Sequence, residues 1–164
     1  TTNAISTEFP IEGSQSIGLF LKMSGDLERI GDHAVNIAQR AKKLYEMNEH
    51  FSKEAMDEIA IMSSLTNNIL DELKILSYDE LKDIVTKVDV IEDSIDTTNR
   101  EFSKKQLERL RNKQCTAENS VVFTKTLTDF ERIGDHGLNI AQSFSKIRED
   151  VAAIKMAEAT SSTQ

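Results

Sequence analysis

DLERIGDHAVNIAQ, residues 26–39, returns almost unchanged as DFERIGDHGLNIAQ, residues 129–142. In both copies the apolar residues recur at alternating spacings of three and four, which places them on one face of an α-helix. The apolar stripe that runs through the first copy and beyond it consists of Phe20, Met23, Leu27, Ile30, Ala34, Ile37, Ala41 and Leu44. The repeat therefore predicts two long helices of one design, the first and the last of the chain.

The sequence between the two copies also has a helical pattern. Residues 48–119 contain neither proline nor glycine. Ser52 and Thr116 can each cap a helix, and Ser77 with Glu80 forms a capping box that would start another. We therefore predict an all-α fold, an antiparallel bundle of about four long helices, with the residue ranges 12–48, 53–76, 78–112 and 117–150. The tail, residues 151–164, ends in small and polar residues, and we expect it to fray.

Composition limits the classes of function. A hydrophobic content of 38% in 164 residues is enough for a core. The net charge of −8 disfavours a nucleic-acid partner, because binding to a phosphate backbone needs a basic surface. Cys115 is the only cysteine, so no internal disulfide can form. No apolar run is long enough for a transmembrane helix, and we expect these residues to lie in the cytoplasm, as a segment of a longer chain.

The repeat preserves polar residues as faithfully as apolar ones, which packing alone does not require. Glu28 and Asp32 lie one helical turn apart, and Glu131 and Asp135 repeat this spacing in the second copy. A third acidic pair of the same spacing lies in the third predicted helix. The complete candidate metal site that we predict consists of Glu92, Asp96, Glu131 and Asp135. Its oxygen ligands suit magnesium, manganese, iron or zinc.

The first copy has no such acidic partner upstream, so Glu28 and Asp32 would form only half a site. We interpret residues 12–48 as the last helix of a first, truncated unit. Residues 49–150 would form a complete three-helix unit similar to a spectrin repeat. The unpaired first helix has to bury its apolar stripe against another surface, and we expect a homodimer.

Simpler interpretations stand beside the metal site. Acidic residues on a helix are usually a solvated face, and a ladder of surface ion pairs contributes little to stability. Other repeated polar residues would support the ligands or pair with them rather than bind metal themselves. These residues are His33, His136, Asn36, Asn139, Arg29 and Arg132. The two histidines could equally be ligands.

The repeated motif and the acidic pair upstream of its second copy resemble PhoU domains. These domains are tandem three-helix bundles with acidic metal-binding motifs, and the resemblance assigns that role to the three acidic pairs named above. RLRNKQCTAE, residues 109–118, resembles the linker in the PhoU-like cytosolic tails of bacterial sodium/phosphate cotransporters. The resemblance implies a regulatory domain of phosphate uptake that is not an enzyme. It would lie at the cytoplasmic face of the membrane, next to a transporter of the same or a neighbouring chain.

Two other functions remain open at this point. A ferritin-like di-metal enzyme is also built on four long helices, but it needs Glu-x-x-His pairs that point inward. In this sequence Glu28 and His33 are five residues apart, as are Glu131 and His136, so one inward site cannot easily use both. A helical scaffold without any ligand is the other alternative, and it would leave the repeated polar residues unexplained.

Overall fold

The computed structural model describes residues 11–74 and 77–161, and four α-helices account for most of them. The helices are α1 (Ile11–Glu46), α2 (Lys53–Glu72), α3 (Ile84–Arg111) and α4 (Ala117–Ser161). The described residues contain no β-strand. The predicted all-α bundle is therefore confirmed. None of the described helices has both the length and the apolar character that a membrane span requires.

Two of the predicted helix starts are confirmed. Ser52 caps α2, because its hydroxyl oxygen accepts a hydrogen bond from the backbone N–H of Ala55 at 3.2 Å. Thr116 caps α4 in the same way and accepts from the N–H of Asn119 at 3.1 Å. Each cap satisfies a backbone donor that the first helical turn leaves free.

The predicted start of α3 was wrong. Glu80 does accept a hydrogen bond from the backbone N–H of Ser77, at 2.9 Å, as the capping box requires. The chain then forms only a short 3-10 turn, Asp79–Lys82, and leaves the helical conformation at Asp83. This break lets Leu81 and Ile84 both reach the core, where each is buried.

The predicted end of the last helix was also wrong, since α4 continues to Ser161 instead of ending near residue 150. The sequence of residues 151–161, VAAIKMAEATS, contains neither proline nor glycine. Four of these eleven residues are alanine, and one each is methionine, lysine and glutamate, all of which favour the helix. The expected frayed tail is therefore helical as far as the structure describes it.

The long helix α4 is the centre of the bundle. On one side it packs against α2 and α3, and on the other against α1, which has no other neighbour among the described helices. The main core lies between α2, α3 and α4 and is built largely from Met62, Ile69, Val88, Ile95, Phe102, Phe123, Leu127 and Phe130. This layout places α3 and α1 on two different faces of α4.

The apolar stripe predicted for α1 is buried only in part. Met23 and Leu44 are buried against α4, as expected. Phe20 and Leu27 are 56% and 57% exposed, although they belong to the same predicted stripe. The reason is that α4 is the only helix of residues 11–74 and 77–161 that packs on α1, and one helix cannot cover the whole width of the stripe.

Candidate metal centre

Three carboxylates converge where α3 and α4 run side by side. Glu92 and Asp96 lie one turn apart on α3, and Asp135 reaches them from α4. One oxygen atom from each side chain lies within 4.8 Å of the others, and all three residues are half-buried. We call this group the acidic cluster. The structure thus brings together three of the four residues of the predicted complete site.

The acidic cluster concentrates negative charge in a half-buried position. Burial raises the pKa of Glu92 to about 7, and the charges of Asp96 and Asp135 add to the rise. The exposed side chain of Arg132 forms an ion pair with Asp135, with 2.9 Å between nitrogen and oxygen. Carboxylate oxygens at this spacing fit a hard or borderline divalent cation, and its charge would offset their mutual repulsion.

Glu131, the fourth residue of the predicted site, is turned toward a different partner. Its Oε2 atom accepts a hydrogen bond from the side-chain amide of Asn99, and Ser103 in turn donates to the Asn99 oxygen at 3.1 Å. Burial raises the pKa of Glu131, and so does the charge of Asp96. Glu131 therefore lies beside the acidic cluster without belonging to it.

The acidic pair of the first copy is isolated. Glu28 and Asp32 are both exposed on α1, as is Arg29 between them. Within residues 11–74 and 77–161, the acidic cluster is the only group of three or more possible metal ligands that lie this close together. Glu28 and Asp32 thus have no further ligand beside them in this part of the chain.

The repeated histidines form a second arrangement, on the opposite side of α4. Nδ1 of His136 lies 2.9 Å from Oδ1 of Asp26 on α1. Nδ1 of His33 lies 2.9 Å from Oδ1 of Asp129 on α4. Each copy of the motif thus supplies the carboxylate for the histidine of the other copy, as expected for antiparallel helices related by an approximate twofold axis.

The neighbours of these two carboxylates differ. Asn139 donates to Asp26 at 3.4 Å and Asn36 donates to Asp129 at 3.5 Å, so the amides follow the twofold relationship. Asp129 also forms an ion pair with Arg40. Among the described residues, the second oxygens of both aspartates are buried without a hydrogen-bond partner, but only that of Asp129 faces a cationic side chain. The interface is therefore symmetric in its histidines and amides but not in its charges.

The two histidine rings stack on each other, with 5.8 Å between their centroids and 27° between their planes. Burial lowers the pKa of His33, and the nearby charge of Arg132 lowers it further. Both Nδ1 atoms are engaged by aspartates of the α1–α4 interface. Both histidines therefore lie in the α1–α4 interface, on the other side of α4 from the acidic cluster.

Sequence reasoning gave no role to Asp26 and Asp129. Both are buried, with 8% and 4% of their surface exposed. The signal was present, because each aspartate precedes the histidine of its own motif by two helical turns and so shares a helix face with it. A buried face that carries both an acid and a histidine in each repeat is what two antiparallel copies need to pair with each other.

The family model of the PhoU domain matches residues 3–41 and 59–144. A protein named phosphate-specific transport system accessory protein PhoU homolog 1, from Thermotoga maritima, is 30% identical over 122 residues, which are 74% of this chain and 52% of that protein. No solved structure gave a significant match.

A second relative is named phosphate-specific transport system accessory protein PhoU homolog and comes from Synechocystis. It is 31% identical over 136 residues, which are 80% of this chain and 57% of that protein. The chain thus spans about half the length of the relatives it matches. The two family matches end at residues 41 and 144, which are equivalent positions of the internal repeat. The chain belongs to the PhoU domain family.

Proposed function

We propose that this chain is a regulatory, non-catalytic domain of phosphate uptake that binds a metal ion through the acidic cluster. The observation that carries the proposal is the convergence of Glu92, Asp96 and Asp135 from two helices into one half-buried group. Its relatives are named as accessory proteins of a phosphate-specific transport system, which supports the regulatory part of the proposal.

Glu92, Asp96 and Asp135 would hold the ion, and iron, zinc, manganese and magnesium all accept such oxygen ligands. Glu92 has to lose its proton to become a ligand, so binding would release a proton below pH 7. Glu131, which feels the charges of Asp96 and Asp135, would join as a further ligand if it exchanged its hydrogen bond with Asn99 for the ion. A bound divalent cation would offset two of the three negative charges of the cluster and tie α3 to α4.

The partner in this proposal is a phosphate transporter, of the same or a neighbouring chain, at the cytoplasmic face of the membrane. The resemblance of residues 109–118 to the linker in sodium/phosphate cotransporter tails supports a sodium-dependent transporter. Homodimer formation also stays a prediction, which analytical ultracentrifugation would test.

Phosphate uptake in cells tests the proposal. Asp96→Asn/Asp135→Asn removes two of the three charges of the acidic cluster. Asp89→Asn/Asp93→Asn is the matched control, because these exposed residues repeat the spacing on the same helix. We expect uptake to lose its response to external phosphate in the first strain only. If both strains regulate uptake as the wild type does, the acidic cluster has no regulatory role and the proposal fails.

A further inference from the structure

Two pockets meet where the chain passes from α1 to α2. The first has a volume of about 370 Å³ and lies between α1, α2 and α4. It exists because α1 and α2 both pack on α4, whereas their described residues do not pack on each other. Its walls are mostly apolar and include Leu44, Phe51, Ile59 and Val122. We call this cavity the apolar pocket.

The apolar pocket has well-packed walls and one open side. Val122 is buried, and Phe51 packs edge-on against Phe123 of the core, with 5.4 Å between the ring centroids. Ala41 and Tyr45 line the pocket from α1 and are exposed, so it is open to solvent on that side. A preformed, mainly apolar cavity of this size is typical of small-molecule sites.

The second pocket is polar and has a volume of about 360 Å³. Glu49 and His50 line both pockets, so the two cavities adjoin. Asn119 holds the backbone between them, because its side-chain amide donates a hydrogen bond to the carbonyl oxygen of His50 at 2.9 Å. We call this second cavity the polar pocket. One elongated ligand can occupy both pockets at once, with a different chemical character at each end.

The polar pocket favours a negatively charged group. Lys113 lines it and forms no ion pair within the part of the chain that the structure describes. Arg109 lines it too, although its ion pair with Glu58 offsets the charge. Ser52 and Thr116, the caps of α2 and α4, also line it, and the start of a helix carries a partial positive charge. Lys113 therefore supplies the main attraction for an anion.

Glu49 limits where an anion can lie. It is the only acidic residue among the described ones that line the polar pocket, and the side-chain amide of Asn119 lies 3.5 Å from its carboxylate. Because Glu49 lines both pockets, its charge stands at their boundary and repels an anion there. Lys113 lines the polar pocket alone. An anionic group is therefore most stable beside Lys113, with the uncharged part of the ligand toward the apolar pocket.

We propose that the two pockets together bind one amphiphile, a molecule with an apolar tail and a single anionic head, such as a carboxylate or a phosphate monoester. The tail lies in the apolar pocket, where its transfer out of water drives binding, and the head lies beside Lys113. The acidic cluster takes no part, since none of its residues lines either pocket. The amphiphile site is thus independent of the proposed metal centre.

Binding of decanoate to the metal-free 164-residue chain tests the proposal, at concentrations below those that form micelles. Calorimetry gives the affinity, and Cys115 reports the place, because it is the only cysteine and lines the polar pocket. We expect bound decanoate to slow the labelling of Cys115 by a maleimide several-fold. Decyltrimethylammonium has the same tail and the opposite charge, and we expect it to bind roughly tenfold more weakly.

Two substitutions test the two ends of the site separately. Ala41→Trp places a large ring at the open side of the apolar pocket, and Lys113→Gln removes the charge of the polar pocket. We expect each to weaken decanoate binding roughly tenfold. Lys104→Gln is the matched control, because this exposed lysine of α3 lines neither pocket, and it should bind decanoate as the wild type does. Circular dichroism checks folding, and Ala41→Leu replaces Ala41→Trp if that variant does not fold.

Three results would overturn the proposal. They are no binding of decanoate, equal binding of decyltrimethylammonium, and unchanged decanoate binding by both folded pocket variants. Vesicles of phosphatidylglycerol distinguish a single amphiphile from a membrane surface. If the chain floats with the vesicles but does not bind decanoate, the two pockets recognise a membrane and the proposal fails.

Discussion

His136 of α4 contacts Asp26 of α1 through its Nδ1 atom, which lies 2.9 Å from the carboxylate oxygen. The same distance joins His33 to Asp129, so the contact is made twice with the two copies exchanged. All four residues belong to the repeated motif. The motif therefore encodes its own interface, in which one copy contacts the other through partly buried polar pairs and not only through apolar packing.

The two aspartates should differ in their contribution to stability. Asp129 pairs with His33 and Arg40, whereas Asp26 pairs with His136 but with no arginine or lysine of the described residues. Asp129→Asn leaves the Arg40 charge without its counterion and should cost about 2–3 kcal/mol of the free energy of unfolding. Asp26→Asn should cost about 1 kcal/mol or less. Urea denaturation of the two variants measures the difference, and equal costs would contradict the asymmetry.

The glycines of the two copies should respond differently to alanine. A Cβ atom at Gly137 would overlap Cγ2 of Ile69, which is held close to the α2 backbone. We expect Gly137→Ala to destabilise the 164-residue chain by about 1–3 kcal/mol through overpacking. Gly31→Ala meets open space and should stabilise it by up to about 1 kcal/mol, because alanine favours the helix. Thermal unfolding of both variants checks the sign of each change.

Arg109 and Glu58 form a largely buried ion pair between α3 and α2. Two guanidinium nitrogens lie 2.6 Å and 3.3 Å from the carboxylate oxygens. Arg109→Met leaves Glu58 as a buried, poorly compensated charge and should cost about 3 kcal/mol. The double variant Glu58→Met/Arg109→Met should recover most of this loss. If the double variant is less stable than Arg109→Met, the uncompensated charge of Glu58 is not the cause of the loss in the single variant.

The free energy of unfolding of the metal-free chain should fall as pH rises, because of the raised pKa of Glu92. Its pKa in the folded chain is about 7, against about 4.3 for an unperturbed glutamate. Between these values the folded state holds a proton that the unfolded state has lost, so the free energy of unfolding falls with rising pH. Because the side chain is partly exposed, we expect a fall of only about 1–2 kcal/mol. Denaturation with a chelator present should show this slope, and Glu92→Gln should remove it.

The repeat and the helix spacing were enough to predict the bundle and the meeting of Glu92, Asp96 and Asp135. Side chains four residues apart share a helix face, and antiparallel neighbours bring such faces together. The conformation of Glu131 could not be predicted in this way. Its hydrogen bond with Asn99 depends on the rotamers of both side chains, and a helix pattern does not determine them.

The sequence did not reveal which helices pack against α1 either. Its stripe predicted burial of both Met23 and Leu27, but only the side toward α4 is covered. The sequence also did not predict that Asp129, but not Asp26, pairs with an arginine. Position 40 carries arginine in the first copy, and its equivalent, Ser143, is too short to reach a carboxylate on the other helix as Arg40 does. A repeat shows which residues recur in the sequence. The contacts of a residue that differs between the two copies, such as Arg40, are seen only in the structure.

Metal binding by the purified 164-residue chain tests the central claim most directly. The chain is stripped with a chelator, and binding of manganese, iron, zinc and magnesium is measured by calorimetry and elemental analysis. Asp96→Asn/Asp135→Asn is compared with Glu28→Gln/Asp32→Asn, which changes the same motif on α1, away from α3. We predict that the wild type and the α1 variant bind one of these metals and that the cluster variant folds without binding it. Binding by the cluster variant, or no binding by the wild type, would contradict the assignment of the acidic cluster as a metal centre.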